Sequence, residues 1–185
     1  FIALLDLGLG QTLVRYISRA RALGDNDQEA ELNGLFLKLY SITAVAAVVI
    51  GAAMTFVYPH VCKKSMTAEE IGLFRTVFAI LLVNAVFSFP MCIFSSTINA
   101  YERFFYLKLV NLISVVLKYG IMVLLLKAGY KTVAITIVAA LSSIAMQCAY
   151  AVYCRKKIKI SFSFGHIKKD AAREIFWFSF YIFLS

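Results

Sequence analysis

The chain carries little of what soluble catalysis needs. It has two histidines, His60 and His166, in separate connectors. The charge pattern described below places those connectors on opposite sides of a membrane, which argues against a shared histidine site. Its four cysteines form no CxxC or Cys/His spacing, so no metal centre is expected. Cys92, Cys148 and Cys154 lie within or at the edge of apolar spans, and with Cys62 just past a helix end they read as small packing residues rather than a disulfide framework. Acidic residues number ten against nineteen basic ones, and Asp6 is the one carboxylate in the apolar spans. Paired carboxylates for general acid–base work are therefore missing there. Charged residues make up 16% of the chain, against about 25% in an average soluble domain. Phe1–Leu9 lacks the basic start and small-residue cleavage site of a secretory signal. The chain opens at Phe1 and ends at Ser185, both inside apolar stretches, and is expected to be a fragment with half a helix lost at each end. No catalytic residue, metal or cofactor is expected, and the chain is not read as an enzyme.

What is present is apolar length. Leu39–Tyr58, Thr76–Tyr101 and Thr132–Cys154 each run 20 or more residues without a charge. About 20 apolar helical residues cross a hydrocarbon layer roughly 30 Å thick. With 62% hydrophobic residues and a mean hydropathy of +0.82, the chain reads as an all-α, polytopic helical membrane bundle. A net charge of +9 in so apolar a chain points to topology and anionic lipid rather than nucleic acid. The pattern predicts a half-helix to about Ala20, a polar connector Arg21–Asn33, and a helix over about Gly34–Tyr58 stopped by Pro59. It continues with spans over about Ile71–Tyr101, with Pro90 inside, Phe104 to about Leu126, and Thr132–Cys154. The basic stretch 155–173 follows, and a last half-helix begins near Glu174.

Basic residues crowd every other connector. Arg15, Arg19, Arg21, Lys38, Arg103, Lys108, Arg155, Lys156, Lys157, Lys159, Lys168, Lys169 and Arg173 fall on one side, thirteen of nineteen. The opposite side holds Lys63, Lys64, Arg75, Lys127 and Lys131. By the positive-inside rule the connectors 21–33, 102–103 and 155–173 are cytoplasmic.

Polar residues inside the spans fall on arcs. At about 100° per residue, Asn84, Ser88, Ser95 and Asn99 share one face, and Asn111, Ser114 and Lys118 another. Thr132, Thr136, Ser143, Gln147, Tyr150 and Cys154 form a third arc, and Gly8, Gln11, Arg15 and Arg19 a fourth. Ala47, Gly51 and Thr55 repeat at four-residue intervals, as a close-packed helix seam does. The Ser and Thr positions suit helix–helix contact equally well. An ionisable group inside the membrane, by contrast, usually faces the bundle interior or water. Lys118, nine residues or more from the nearest flanking lysines, is the leading cavity candidate. Arg15, Asn84, Asn111 and Gln147 are the further substrate-binding candidates, since cations and amides suit an anionic or polyhydroxylated ligand. For Arg15 a lipid-headgroup or topological role competes. Asp6 is a candidate for binding a coupling ion, with a buried structural partner as the alternative.

Leu5-Asp6-Leu7-Gly8-Leu9-Gly10, then Arg15-Tyr16-Ile17 and Gly24-Asp25, resemble the second helix and first cytoplasmic loop of bacterial polysaccharide-biosynthesis flippases. Those proteins belong to the multidrug/oligosaccharidyl-lipid/polysaccharide exporter (MATE-like) superfamily. Asn99-Ala100-Tyr101-Glu102-Arg103-Phe104, Leu107-Lys108-Leu109 and Tyr153-Cys154-Arg155-Lys156-Lys157 look like the same family's later connections. The resemblance implies helices two to seven of a two-lobe transporter. Residues 1–154 would belong to the N-terminal six-helix lobe, 155–173 to a cytoplasmic connector and 174–185 to the next helix. It implies a bacterial inner-membrane flippase for surface polysaccharide such as O-antigen, moving an undecaprenyl-pyrophosphate-linked oligosaccharide by alternating access. The implied partners are that lipid-linked oligosaccharide, membrane lipids, the C-terminal lobe, and a polysaccharide polymerase or glycosyltransferases, with no nucleic acid. A proton- or sodium-coupled drug/cation antiporter of the same fold is the alternative.

Overall fold

The computed structural model describes residues 8–61, 68–130 and 132–163, and among these every regular element is helical. Helix α1 spans Leu9–Leu23, α2 Asn26–Val61, α3 Ala68–Ala100, α4 Phe104–Lys127 and α5 Thr132–Tyr153, which runs into a π-helical turn, Cys154–Ile158. Helices α2 to α5 are each long and apolar enough to cross a membrane. At about 1.5 Å per residue, α2 with its 36 residues reaches well past a hydrocarbon layer. Its first turns, carrying Asp27, Glu29 and Glu31, therefore stand clear of the apolar zone.

The connector expected over Arg21–Asn33 contracts to Gly24 and Asp25. Leu9, Leu13, Ile17 and Ala20 recur at helical spacing and are buried, so α1 is held by one apolar stripe through to Leu23. Gly24 then adopts φ 70°, which spares a Cβ clash. Its N–H reaches Arg21 O (3.0 Å) while the Asp25 N–H reaches Ala20 O (3.1 Å), closing the helix with a Schellman pair. Asp25 immediately caps α2, its Oδ1 accepting from the Gln28 N–H at 2.9 Å. The sequence stretch is polar because it is the wet end of two helices, not because it is a loop.

A second difference concerns Pro59, expected to stop the helix. Helix α2 continues through it to Val61. Proline removes one ladder bond, but so near the helix end few later residues depend on it. Pro90 lies inside α3, as the pattern predicts.

Helix α3 is the hub, packing against α1, α2 and α5. Towards α2 the contact is a small-residue seam: Ala44 and Ala47 are buried with Phe89, and a Cβ added at Gly51 would overlap the Leu82 methyl. The other end of the bundle holds the largest core, where Leu13, Ile17, Phe36, Tyr40 and Ile93 are completely buried. Helix α4 is the outlier. It leans on α5, touches α3 lightly and buries none of its side chains fully. Leu112, Val116 and Leu124 all point outward, as expected of a helix facing lipid or another part of the protein.

After the π turn the chain becomes a strap. Lys159 takes a left-handed φ of 57°, and the backbone folds back onto α2. There Ser163 N–H donates to Ala30 O (2.9 Å) and Asn33 Nδ2 donates to Ser161 O (3.3 Å). Phe162 meets the Phe94 ring edge-on at 6.3 Å. Residues 164–173 of the basic stretch and the helix expected from Glu174 lie outside the described residues, as do 62–67.

Candidate functional site

One end of the bundle is tied together by the connectors that carry the excess basic charge. The Arg21 guanidinium donates to Ala100 O at 3.1 Å and lies 4.0 Å from the Tyr101 ring centroid. The Tyr101 hydroxyl donates to Glu29 Oε1 at 2.8 Å, joining α1, the start of α2 and the end of α3. Burial, then the hydrogen bond to Glu29 and its negative charge, push the Tyr101 phenol up to about 12, against a smaller opposing effect of Arg21. The phenol thus stays a donor throughout the physiological range. Cys154 Sγ completes the tie from the π-helical turn after α5, donating to Phe94 O (3.4 Å). Connectors 21–33, 102–103 and the start of 155–173 therefore share one face of the molecule.

Above this tie the polar residues of α4 and α5 face each other. On α4, Phe104, Leu107, Lys108, Asn111, Ser114, Val115 and Lys118 follow i, i+3, i+4, i+7 spacing, which sets them on one stripe. Ala139, Ser142, Ser143, Met146 and Tyr150 do the same on α5. The Tyr150 hydroxyl donates to Leu107 O (3.3 Å) and the Tyr106 hydroxyl to Ala149 O (3.1 Å), clamping the two helices at one end. Beyond the clamp, alanine and serines on α5 leave room opposite the α4 lysine.

Two cavities result. The smaller, about 160 Å³, lies between α4 and α5 and is lined by Asn111, Ser114, Lys118, Ser142 and Ser143 with apolar neighbours. The half-buried Lys118 ammonium sits 4.7 Å from the ring centroid of Tyr119. The larger, about 380 Å³, opens where α1, α3 and α4 meet near the α3–α4 turn, and Gln11, Ser95, Ser96, Asn99, Lys108 and Asn111 contribute its polar lining. Asn111 belongs to both. Among the described residues neither cavity is lined by a carboxylate.

The structure brings Lys118 and Asn111 of the sequence candidates together. Asn84 is buried and accepts a 3.4 Å hydrogen bond from Ser88, and it lines neither cavity. Gln147 is buried on α5, its Oε1 without a hydrogen-bond partner among the described residues, and also lines neither. Arg15 is exposed one turn past Gln11 on α1. Asp6 lies outside the described residues. Gln11, Ser95, Ser96, Asn99 and Lys108 are cavity residues outside the sequence candidates. Gln11, Ser95 and Asn99 stand on polar arcs of the sequence, Ser96 on none, and Lys108 belongs to the topology charges. Helical angle alone does not separate Ser95 and Asn99, which reach a cavity, from Asn84 and Ser88 on the same arc, which are covered.

Long apolar helices, a basic connector face and charged or amide side chains set within the bundle define a multi-pass α-helical membrane protein with a polar interior. More particularly, the chain belongs to the polysaccharide biosynthesis protein family, whose model matches residues 1–185. No curated protein and no solved structure matches the chain.

Proposed function

We propose that this protein is a flippase that carries a lipid-linked oligosaccharide across the bacterial inner membrane by alternating access, for surface polysaccharide assembly. Helices α1 to α5 form part of its N-terminal lobe, and a C-terminal lobe closes the cavity side. The observation that carries the proposal is Lys118, half-buried midway along a membrane-spanning helix and set in a cavity with Asn111 and three serines. A lysine at that depth is costly unless it has water or an anion to hold, and an ammonium is a compact point charge suited to phosphate. Serine hydroxyls and the amide offer donors and acceptors to sugar hydroxyls. Absence of a lining carboxylate among the described residues weighs against a cationic drug as cargo. Flipping breaks no bond, so the reading needs neither a catalytic group nor a cofactor.

In the full-length protein, Lys118→Ala is expected to abolish surface-polysaccharide export while membrane abundance stays normal. Unchanged export by that variant would remove Lys118 from the transport path. Orientation follows the basic connectors: a reporter fused after Lys157 is expected to read cytoplasmic and one after Lys64 periplasmic. The reverse pattern would invert the topology.

A further inference from the structure

Five polar side chains converge on the larger cavity without using their hydrogen-bonding capacity. Gln11, Ser96, Asn99, Asn111 and Lys108 make no side-chain hydrogen bond to another described residue. Two further lining groups are spoken for: Ser95 Oγ donates to Cys92 O (2.9 Å) and Tyr150 to Leu107 O. The walls are thus fixed by some polar groups while others are left free. Each primary amide offers two donors and an acceptor, and an ammonium three donors. Asn99 is half-buried and Gln11, Lys108 and Asn111 are exposed at the cavity mouth, so all are open to water or a ligand.

The composition selects the ligand. Among the described residues Lys108 is the single charged group of the lining, which favours an anion over a cation. Three amides around it suit vicinal hydroxyls, and the rings of Phe104 and Tyr150 offer apolar surface to a sugar face. At about 380 Å³ the space is at the small end of ligand pockets, which suits one sugar with a phosphate rather than an oligosaccharide. It opens at the end of the bundle where the basic connectors gather, and Asn111 links it to the Lys118 cavity. Lys108 and Lys118 are ten residues apart, about 15 Å along α4.

We propose that this cavity is a first docking station for the phosphate-bearing end of a glycolipid headgroup. Lys108 grips a phosphate oxygen, and Gln11, Asn99 and Asn111 hold the adjoining sugar. The headgroup then passes along α4 by way of Asn111 to Lys118. The station rests on the transport reading above and adds a residue, Lys108, and a division of labour to it.

The test uses the full-length protein in lipid nanodiscs. Three probes serve: fluorescent polyprenyl-diphosphate N-acetylglucosamine, the same lipid without sugar, and soluble glucose 1-phosphate as competitor. Lys108→Gln is expected to weaken both lipids roughly tenfold, as loss of a charge-assisted hydrogen bond does, with Lys108→Arg restoring most of the affinity. Asn99→Ala is expected to weaken the sugar-bearing lipid alone. Equal binding by wild type and Lys108→Gln, or equal weakening of both lipids by Asn99→Ala, overturns the station. Displacement by glucose 1-phosphate as effective as by unlabelled lipid overturns the glycolipid assignment in favour of a free sugar phosphate. A vesicle assay separates the two readings. If the wild type flips the glycolipid and Lys108→Gln flips and binds it equally well, the station alone falls. A wild type that binds but never flips it removes the transport reading.

Discussion

Phe36→Ala is expected to lower the thermal midpoint of the detergent-solubilised protein by on the order of 10 °C, while Phe105→Ala shifts it little. Phe36 is completely buried where α1, α2 and α3 meet, together with Leu13, Ile17, Tyr40 and Ile93. Truncating such a ring loses transfer energy and leaves a cavity, together about 3–5 kcal/mol in soluble cores. In mid-bilayer part of that would vanish, since the exposed ring would meet lipid rather than water. Phe36, however, stands between Glu31 and Lys38, at the charged end of α2. Opening the core there exposes the ring to the interface, so most of the soluble figure should survive. For a chain of this size about 1 kcal/mol corresponds to roughly 2–4 °C. Phe105, 81% exposed on α4, has no such neighbours. Fluorescence-detected size exclusion after heating measures both. Equal midpoints for the two variants would mean that the three-helix junction does not hold the bundle.

Much of this architecture was legible in the residues, for identifiable reasons. Charge-free length reports directly on bilayer thickness, so the sequence places the α3 and α5 spans to within a few residues, and the flanking charges Arg103 and Lys127 bound α4. The alternation of basic connectors is a one-dimensional signal, and the structure gathers those connectors at one face through Arg21, Tyr101 and Cys154. Less was legible at 21–33, because polarity marks both loops and the wet ends of long helices. Gly24 followed by Asp25 was the clue to a tight turn, one residue ending a helix and the next capping another. The candidate site shows the same division. Spacing along α4 brought Asn111 and Lys118 together, since one helix sets its own angles. Whether Asn84, Gln147 or Asn99 meets a cavity depends on which helix covers it, and no property of the residue itself carries that. Lys108 shows the cost of reading each charge once: a topology signal also lines a cavity.

At Asn33 the charged substitution is expected to be far more damaging than the apolar one: Asn33→Asp should cost about 3 kcal/mol or more at neutral pH, Asn33→Leu close to nothing. The residue is completely buried, donates Nδ2 to Ser161 O at 3.3 Å, and has an Oδ1 without a partner among the described residues. Only the amide nitrogen can face that carbonyl usefully, which fixes the orientation of the group. Leucine gives up one hydrogen bond with a net worth of about 1 kcal/mol but also removes the unsatisfied acceptor, and the two effects nearly offset. Aspartate instead turns an acceptor toward the Ser161 carbonyl and buries a negative charge that no donor among the described residues is placed to meet. Glu29, buried one helical turn earlier, adds like-charge repulsion. Breaking a buried arrangement so as to leave an unpaired charge costs about 3–5 kcal/mol. The pH dependence follows from the sign. Burial raises the folded-state pKa of the new carboxyl above its unfolded value, so the aspartate variant is most stable below the unfolded pKa of about 4. It loses that stability as pH rises through the folded value. Because the strap at 159–163 docks on α2 through Ser161 and Ser163, its release should appear as protease cleavage there in the aspartate variant at pH 8 and much less at pH 5. Equal melting and cleavage of the aspartate and leucine variants at both pH values would show that the strap is not held at Asn33.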